Sequence, residues 1–397
     1  MNSTKQKARR LGLRTTRTEK KKRPFRIKLI TETTYFDYPL LFISVFLTLF
    51  GLLMVYSSSY YYNGTAYVRR QAMFAALGFV AMFAVSFVNY KLYEKFHLWI
   101  ILGVIALIIS VYIFGVAVNG STRWLSTKSG FGIQPSELAK IGLCIYMAAA
   151  CTNHVKDMRT FKGLCKILAF PIITVGLIAI ENLSTGIICV VIVVAIWFVA
   201  TPRIAPALPF VAFAAVAGVV LLLMKGSYRL DRIDAWLNVD TSEDAYQTRQ
   251  GLYAIGSGGW FGRGIGQSVQ KQIIPEAQND MIFSIICEEI GIVGGIMVIA
   301  VFLMLLWRMR FIAEGAPDRF GSLMVVGFIA NIGFQAFVNM AVVTNLIPNT
   351  GVTLPFISYG GTSLLVTLTE MGMVLSVSRR IIAENDGYIE KVVRVTE

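Results

Sequence analysis

Histidine is almost missing from this chain: His97 and His154 are the only two in 397 residues. Both fall at the ends of apolar runs on one predicted side, so proton transfer on the other side must use carboxylate, lysine or tyrosine. Charge is scarce too, at 15% Asp, Glu, Lys and Arg against 55% hydrophobic residues, with a mean hydropathy of +0.63. That balance excludes a soluble globular chain and points to a polytopic membrane protein. The five cysteines, Cys144, Cys151, Cys165, Cys189 and Cys287, fall in apolar runs or on the predicted cytoplasmic side and form no CxxC pair, so no disulfide framework or CxxC metal site is implied. The aliphatic runs lack the alternation of barrel strands, so the spans are helical. No internal repeat stands out, nor a matched pair of broken helices of the kind carriers use.

What is there is a series of long apolar runs. A helix needs about 18 or more apolar residues to cross a bilayer, and such runs lie near 38–58, 71–88, 98–118, 135–152, 167–182, 184–201, 204–224, 281–306, 321–343 and 360–378. The expected fold is therefore an all-α bundle of about ten transmembrane helices, with a long loop, 225–280, between the seventh and eighth. The net charge of +14 is concentrated in a tail: residues 1–28 carry twelve Lys or Arg against Glu19 alone. A basic segment before a first span reads as a cytoplasmic anchor beside anionic lipid and not as a nucleic-acid arm. Three regions follow: a basic tail 1–34, a membrane domain 35–380 and a C-terminal tail 381–397, with both tails cytoplasmic. That topology leaves Arg69, Arg70, Arg123, Lys128 and six cations of 225–280 on the outer face, where cations need a reason.

Several stretches carry candidate chemistry. In "PEAQNDMIFSIICEEIG" (Pro275–Gly291), Asp280 stands at the threshold of a span. Desolvation there would raise its pKa toward a general base's range, while aspartate is also a favoured N-cap. Glu288 falls about 12 Å further along and Glu289 about 100° round the helix from it. Asn331, Gln335 and Asn339 recur every four residues as one polar stripe, the expected partner of Glu288 and Glu289 through interhelical hydrogen bonds. Glu137 and Lys140, at i and i+3, can pair with each other, or Lys140 can join Arg70 or Arg123 in a phosphate slot. "YAIGSGGWFGRGIGQS" (Tyr253–Ser268) has no Walker lysine and reads as a re-entrant or packed loop. "PNTGVTLPFISYGGTS" (Pro348–Ser363) reads as a turn dipping into the bundle.

Four of these stretches, in order, resemble the SEDS (shape, elongation, division and sporulation) family, most nearly its division branch: "NGSTRWL" with "IQPSELAK", "LYAIGSGGWFGRGIGQSVQK", "IPEAQNDMIFSIICEEIGIVGG" and "LPFISYGGTSLL". The resemblance covers roughly residues 37–380. It implies a peptidoglycan glycosyltransferase that polymerises lipid II at the outer face of the bacterial cytoplasmic membrane. The implied partners are a class B penicillin-binding protein and other divisome membrane proteins. Asp280 takes the place of the family's essential aspartate, the base for an attacking sugar hydroxyl. Arg70, Arg123, Glu137, Lys140, Arg232, Lys271 and Ser358 would surround the polyprenyl pyrophosphate of the substrate. No cofactor is required by the sequence, although outer carboxylates could bind a divalent cation such as Mg2+ or Mn2+. The chain departs from the family pattern at Asn279, where a threonine is usual, and at Asn182 in "ENLSTG", where an acid is usual. Two other classes stay open at this point: a flippase for a lipid-linked precursor, with buried acids as a proton relay, and a non-catalytic scaffold in which Asp280 only caps a helix.

Overall fold

The computed structural model describes residues 36–118, 121–126, 132–155, 158, 160–201, 212 and 226–381. Eight of its helices are long and apolar enough to cross a membrane. They are α1 (Tyr38–Asn63, apolar through Tyr60), α2 (Ala66–Phe87), α4 (His97–Phe114), α6 (Phe161–Glu181), α7 (Leu183–Ala200), α10 (Ile282–Glu314), α11 (Arg319–Val343) and α12 (Gly361–Ser378). Helix α3 (Lys91–Lys95) is a single short connector. The predicted span at 204–224 and both tails, apart from Ile381, lie outside the described residues.

A further long helix, α5 (Pro135–Asn153), is less apolar because it carries Glu137 and Lys140, yet it is the most enclosed element of the bundle. From Pro135 to Cys151 only Ser136 and Leu138 are not buried, because α4, α7 and α11 pack round it. A helix with no lipid-facing side needs no apolar surround, so burial here follows neighbours and not hydropathy.

Two boundaries differ from the sequence reading. The third span stops at Phe114 instead of continuing to 118: Gly115 turns extended and Val116–Val118 (β1) pairs antiparallel with Ser121–Ser126 (β2), which pairs with Gly132–Ile133 (β3). Segment 226–280 is no open loop either, since it folds into α8 (Gly226–Leu237) and α9 (Tyr246–Gly258) before returning to α10.

Helix α10 is broken at Gly291, whose φ of 80° is one that only glycine adopts cheaply. Breaking a helix orphans backbone groups, and here the glycine-rich loop after α9 supplies partners for four of them. Arg263 and Gly264 donate their N–H groups to the carbonyls of Glu288 and Glu289 at 3.0 and 2.9 Å. In return the N–H groups of Ile292 and Val293 donate to the carbonyls of Gly259 and Trp260 at 2.9 and 3.2 Å. A Cβ on Gly291 would collide with the Trp260 carbonyl oxygen. Loop and helix are thus spliced, as the reading of a packed glycine loop anticipated.

Candidate functional site at the α9 to α10 junction

Asp280 does not cap α10. The cap position falls on Met281, which offers no side-chain acceptor, and the helix begins one residue later. The Asp280 carboxylate instead faces Gln247 of α9, whose Nε2 donates to it at 3.2 Å. The backbone carbonyl of Asp280 accepts from Asn339 Nδ2 at 2.7 Å. Arg232 of α8 is close enough to act on the carboxylate electrostatically and donates to the Asn349 carbonyl at 3.1 Å. Asn349 in turn donates to Gln247 Oε1 at 3.2 Å. Burial holds the Asp280 carboxyl above the usual carboxylate range; Glu276 adds to the rise, while a hydrogen bond from its own backbone N–H, Arg232 and Gln247 oppose it.

The connector from Thr344 to Gly360 forms the other wall. Its centre is buried, and Phe356 sits at a φ of 64°, unusual for a bulky residue. The turn is held by the Leu354 N–H donating to Ser358 Oγ at 2.7 Å. It also lies against Gly51 of α1, where a Cβ would come 2.7 Å from the Ile357 Cα. Gln71 of α2 brackets Tyr359, donating to the Ser358 carbonyl at 3.1 Å and accepting from the Gly360 N–H at 3.2 Å. The Tyr359 N–H donates to the Gln278 carbonyl at 2.8 Å, and its phenol is hydrogen-bonded to Arg70. Arg70 is thereby linked through Tyr359 to Gln278, two residues before Asp280.

The polar stripe meets different partners from those expected. Glu288 and Glu289 turn away from α11 and are claimed by the returning loop. Glu288 accepts from the N–H groups of Val269 and Gln270 at 3.0 and 3.3 Å, and from the Ser268 hydroxyl; Arg263 stands 3.7 Å away. Glu289 accepts from Ser57 of α1 and has Lys271 at 3.5 Å. Asn331, Gln335 and Asn339 serve instead as successive steps along α11. Asn331 donates to Glu370 at 2.8 Å, Gln335 accepts from Lys140 at 2.9 Å, and Asn339 holds the Asp280 backbone. The expectation failed because contact depends on how each helix is rotated, and the Gly291 break with its spliced loop fills the face that the stripe would have met.

Lys140 is 2% exposed and ion-paired with Glu137 at 3.0 Å, so the i,i+3 pairing is realised. Lys271, also buried, donates to the Gly266 carbonyl at 2.6 Å. Arg123 lies in β2, and its side chain is outside the described residues. Asn182 caps α7, accepting from the Thr185 N–H at 3.2 Å, which is work that an aspartate would also do. Asn279 donates to Glu276. Among the described residues no three His, Cys, Asp or Glu converge as a metal site would need, and all five cysteines are free thiols. Sequence reasoning missed Gln71 and Gln247. The former was visible as a polar residue opening an apolar run; the latter had no local signal.

Long apolar helices around a buried polar core, with a raised carboxylate and arginines gathered at one end, define a multi-pass helical membrane protein with its candidate site at a membrane face. Comparison with known proteins narrows this class. The family model described as cell cycle protein, which covers FtsW, RodA and SpoVE, matches residues 38–381. The chain is 38% identical over 364 residues to stage V sporulation protein E of Bacillus subtilis, covering 88% of this chain and 99% of that one. It is 36% identical over 371 residues to the probable peptidoglycan glycosyltransferase FtsW of Geobacter metallireducens, covering 88% and 96%. Among solved structures, rod shape determining protein RodA of Thermus thermophilus superposes with a TM-score of 0.64 at 25% identity, covering 87% and 97%. A chain of a peptidoglycan synthase complex reaches a TM-score of 0.73 at 24% identity, covering 87% and 98%, a likeness of fold. This chain belongs to the SEDS family.

Proposed function

We propose that the protein is a peptidoglycan glycosyltransferase of cell division that polymerises lipid II at the outer face of the cytoplasmic membrane, with both tails inside. The observation that carries this reading is Asp280: a carboxyl raised by burial, with Gln247 as its side-chain donor among the described residues and Arg232 acting on it electrostatically. The names of its FtsW relatives support the activity.

In this reading the ionised Asp280 takes the proton of an acceptor sugar 4-hydroxyl as that oxygen attacks the donor's anomeric carbon. The bond from that carbon to the pyrophosphate oxygen breaks, and polyprenyl pyrophosphate leaves with the electron pair. A base with a raised pKa both ionises near working pH and accepts the proton more readily. Cations stabilise the departing charge. Arg70 and Arg232 stand at the edge of the site and suit that work, as would Arg123. Lys140 and Lys271 are already paired and act from behind, through Gln335 and Glu289. Glu137 and Ser358 likewise hold their neighbours in place. A class B penicillin-binding protein, with other divisome membrane proteins, is the proposed partner; the fold match to a chain of a synthase complex is consistent with that.

The carrier alternative draws on the broken α10, because broken helices expose backbone for ions. Here two carbonyls and two N–H groups flanking the break are satisfied by the loop, which takes up backbone that an ion would need. Purified protein supplied with lipid II is expected to make glycan polymer resolvable on a gel. Transfer of intact lipid II between leaflets with no polymer would replace the enzyme reading by the carrier one.

A further inference from the structure

The spliced loop holds two aromatic side chains outward, Trp260 at 68% and Phe261 at 84% exposure. Their backbone is firm, because four N–H···O bonds join 259–264 to 288–293 and a fifth ties the loop to the end of α9, from the Gly262 N–H to the Gly258 carbonyl at 2.9 Å. Large aromatics presented rigidly need something to cover them.

The level of the loop says what that is. Helices α1 and α10 are tied to each other at two heights. At one, Arg308 forks onto Asp37 at 2.8 to 2.9 Å; at the other, Ser57 donates to Glu289. Counted from the Asp37 cap, the ties are twenty residues apart on α1 (37 to 57), which at about 1.5 Å per residue is about 30 Å. That is roughly the hydrocarbon thickness of a bilayer, the separation expected between its two boundaries. The exposed surface of α10 agrees. Residues 282–289 are buried by protein, whereas Ile292, Ile296, Met297, Leu303, Met304 and Trp307 beyond the break are exposed. Trp260 is bonded to the backbone where that lipid-facing surface begins. Arg263, 42% exposed at its side chain, stands beside them.

We propose that the loop Gly259–Gly264 is an interfacial anchor, with Trp260 and Phe261 seated at the boundary of acyl chains and headgroups in the leaflet on the Asp280 side and Arg263 beside the phosphates. Aromatic rings favour that zone because their faces are apolar and their edges polarisable. The inference needs nothing of the catalytic reading.

Four of the cysteines are buried and Cys165 is exposed, so a Cys165→Ser/Phe261→Cys chain offers one reactive thiol for a nitroxide label. In liposomes, collision with oxygen and with a water-soluble nickel chelate reports depth. A label at 261 is expected between one at Asp240→Cys, in water, and one at Leu303→Cys, mid-bilayer, with oxygen favoured several-fold over the chelate. Ile265→Cys, in the same turn, supplies an independent site should substitution at 261 disturb the loop. Chelate collision equal to that at 240, or exclusion of both reagents by protein contact, would overturn the anchor.

Discussion

Asp280 and Glu288 stand eight residues apart in one acidic stretch, and the fold treats them oppositely. Glu288 is fully buried and accepts from two backbone N–H groups and a hydroxyl, with an arginine nearby. Asp280, just before the span begins, is met by its own backbone N–H, one neutral amide and a more distant arginine, and burial still outweighs them. A carboxylate whose lone pairs are filled by the protein holds a loop in place; one whose burial outweighs its donors keeps its basicity for a substrate. The difference separates structure from chemistry within a single motif.

The sharpest break of that comparison is Asp280→Asn. Polymerisation by the purified protein is expected to fall at least about 100-fold, the scale of a lost general base, with the melting temperature unchanged or slightly raised. The sign follows from linkage: a carboxyl raised by burial favours the folded state when protonated, and that contribution is lost as pH rises through its folded pKa. Asparagine removes the unfavourable ionisation at neutral pH. A stable variant with full activity would end the assignment.

Lys140→Met should cost about 3 to 5 kcal/mol of stability in denaturant titration, because Glu137 is left buried without its cation. Adding Glu137→Gln should recover much of that. Recovered stability with recovered polymerisation makes the pair structural; recovered stability without it assigns Lys140 to the substrate.

Glu288→Ala strands the Val269 and Gln270 N–H groups and the Ser268 hydroxyl, with an expected cost of about 1 to 3 kcal/mol. Glu288→Gln, which keeps one acceptor, should lose less and retain activity per folded molecule. A well-folded but inactive Glu288→Gln protein would erase the contrast with Asp280.

The smallest effects concern tuning. The acid limb of kcat/KM against pH is expected above the ordinary carboxylate range. Gln247→Leu removes a donor that favours the ionised form and should move the limb to higher pH, while Glu276→Gln removes a like charge and should move it lower. Shifts in the reverse directions would mean that another group sets the limb.

Much of this was legible beforehand. Spans such as 38–58 and 321–343 declared themselves because apolar length is a local property, and Glu137 with Lys140 paired because i and i+3 share one helix face. The partners of Glu288 and Glu289 were not legible, since spacing cannot tell which neighbour a helix face meets once Gly291 breaks the helix. Nor was the enclosure of α5, whose polar residues argue against a lipid-facing helix and are tolerated because protein surrounds them. Gln247 lies 33 residues before Asp280 with no periodicity joining them, and only the return of α9 along α10 brings them together.

The sequence by itself determined a helical membrane bundle and set an aspartate where a span begins, because bilayer thickness and chain hydropathy suffice for that. Tertiary structure alone decided which carboxylate keeps its basicity, because burial and hydrogen-bond partners depend on helix rotation, on a break at one glycine and on a loop returning to fill it.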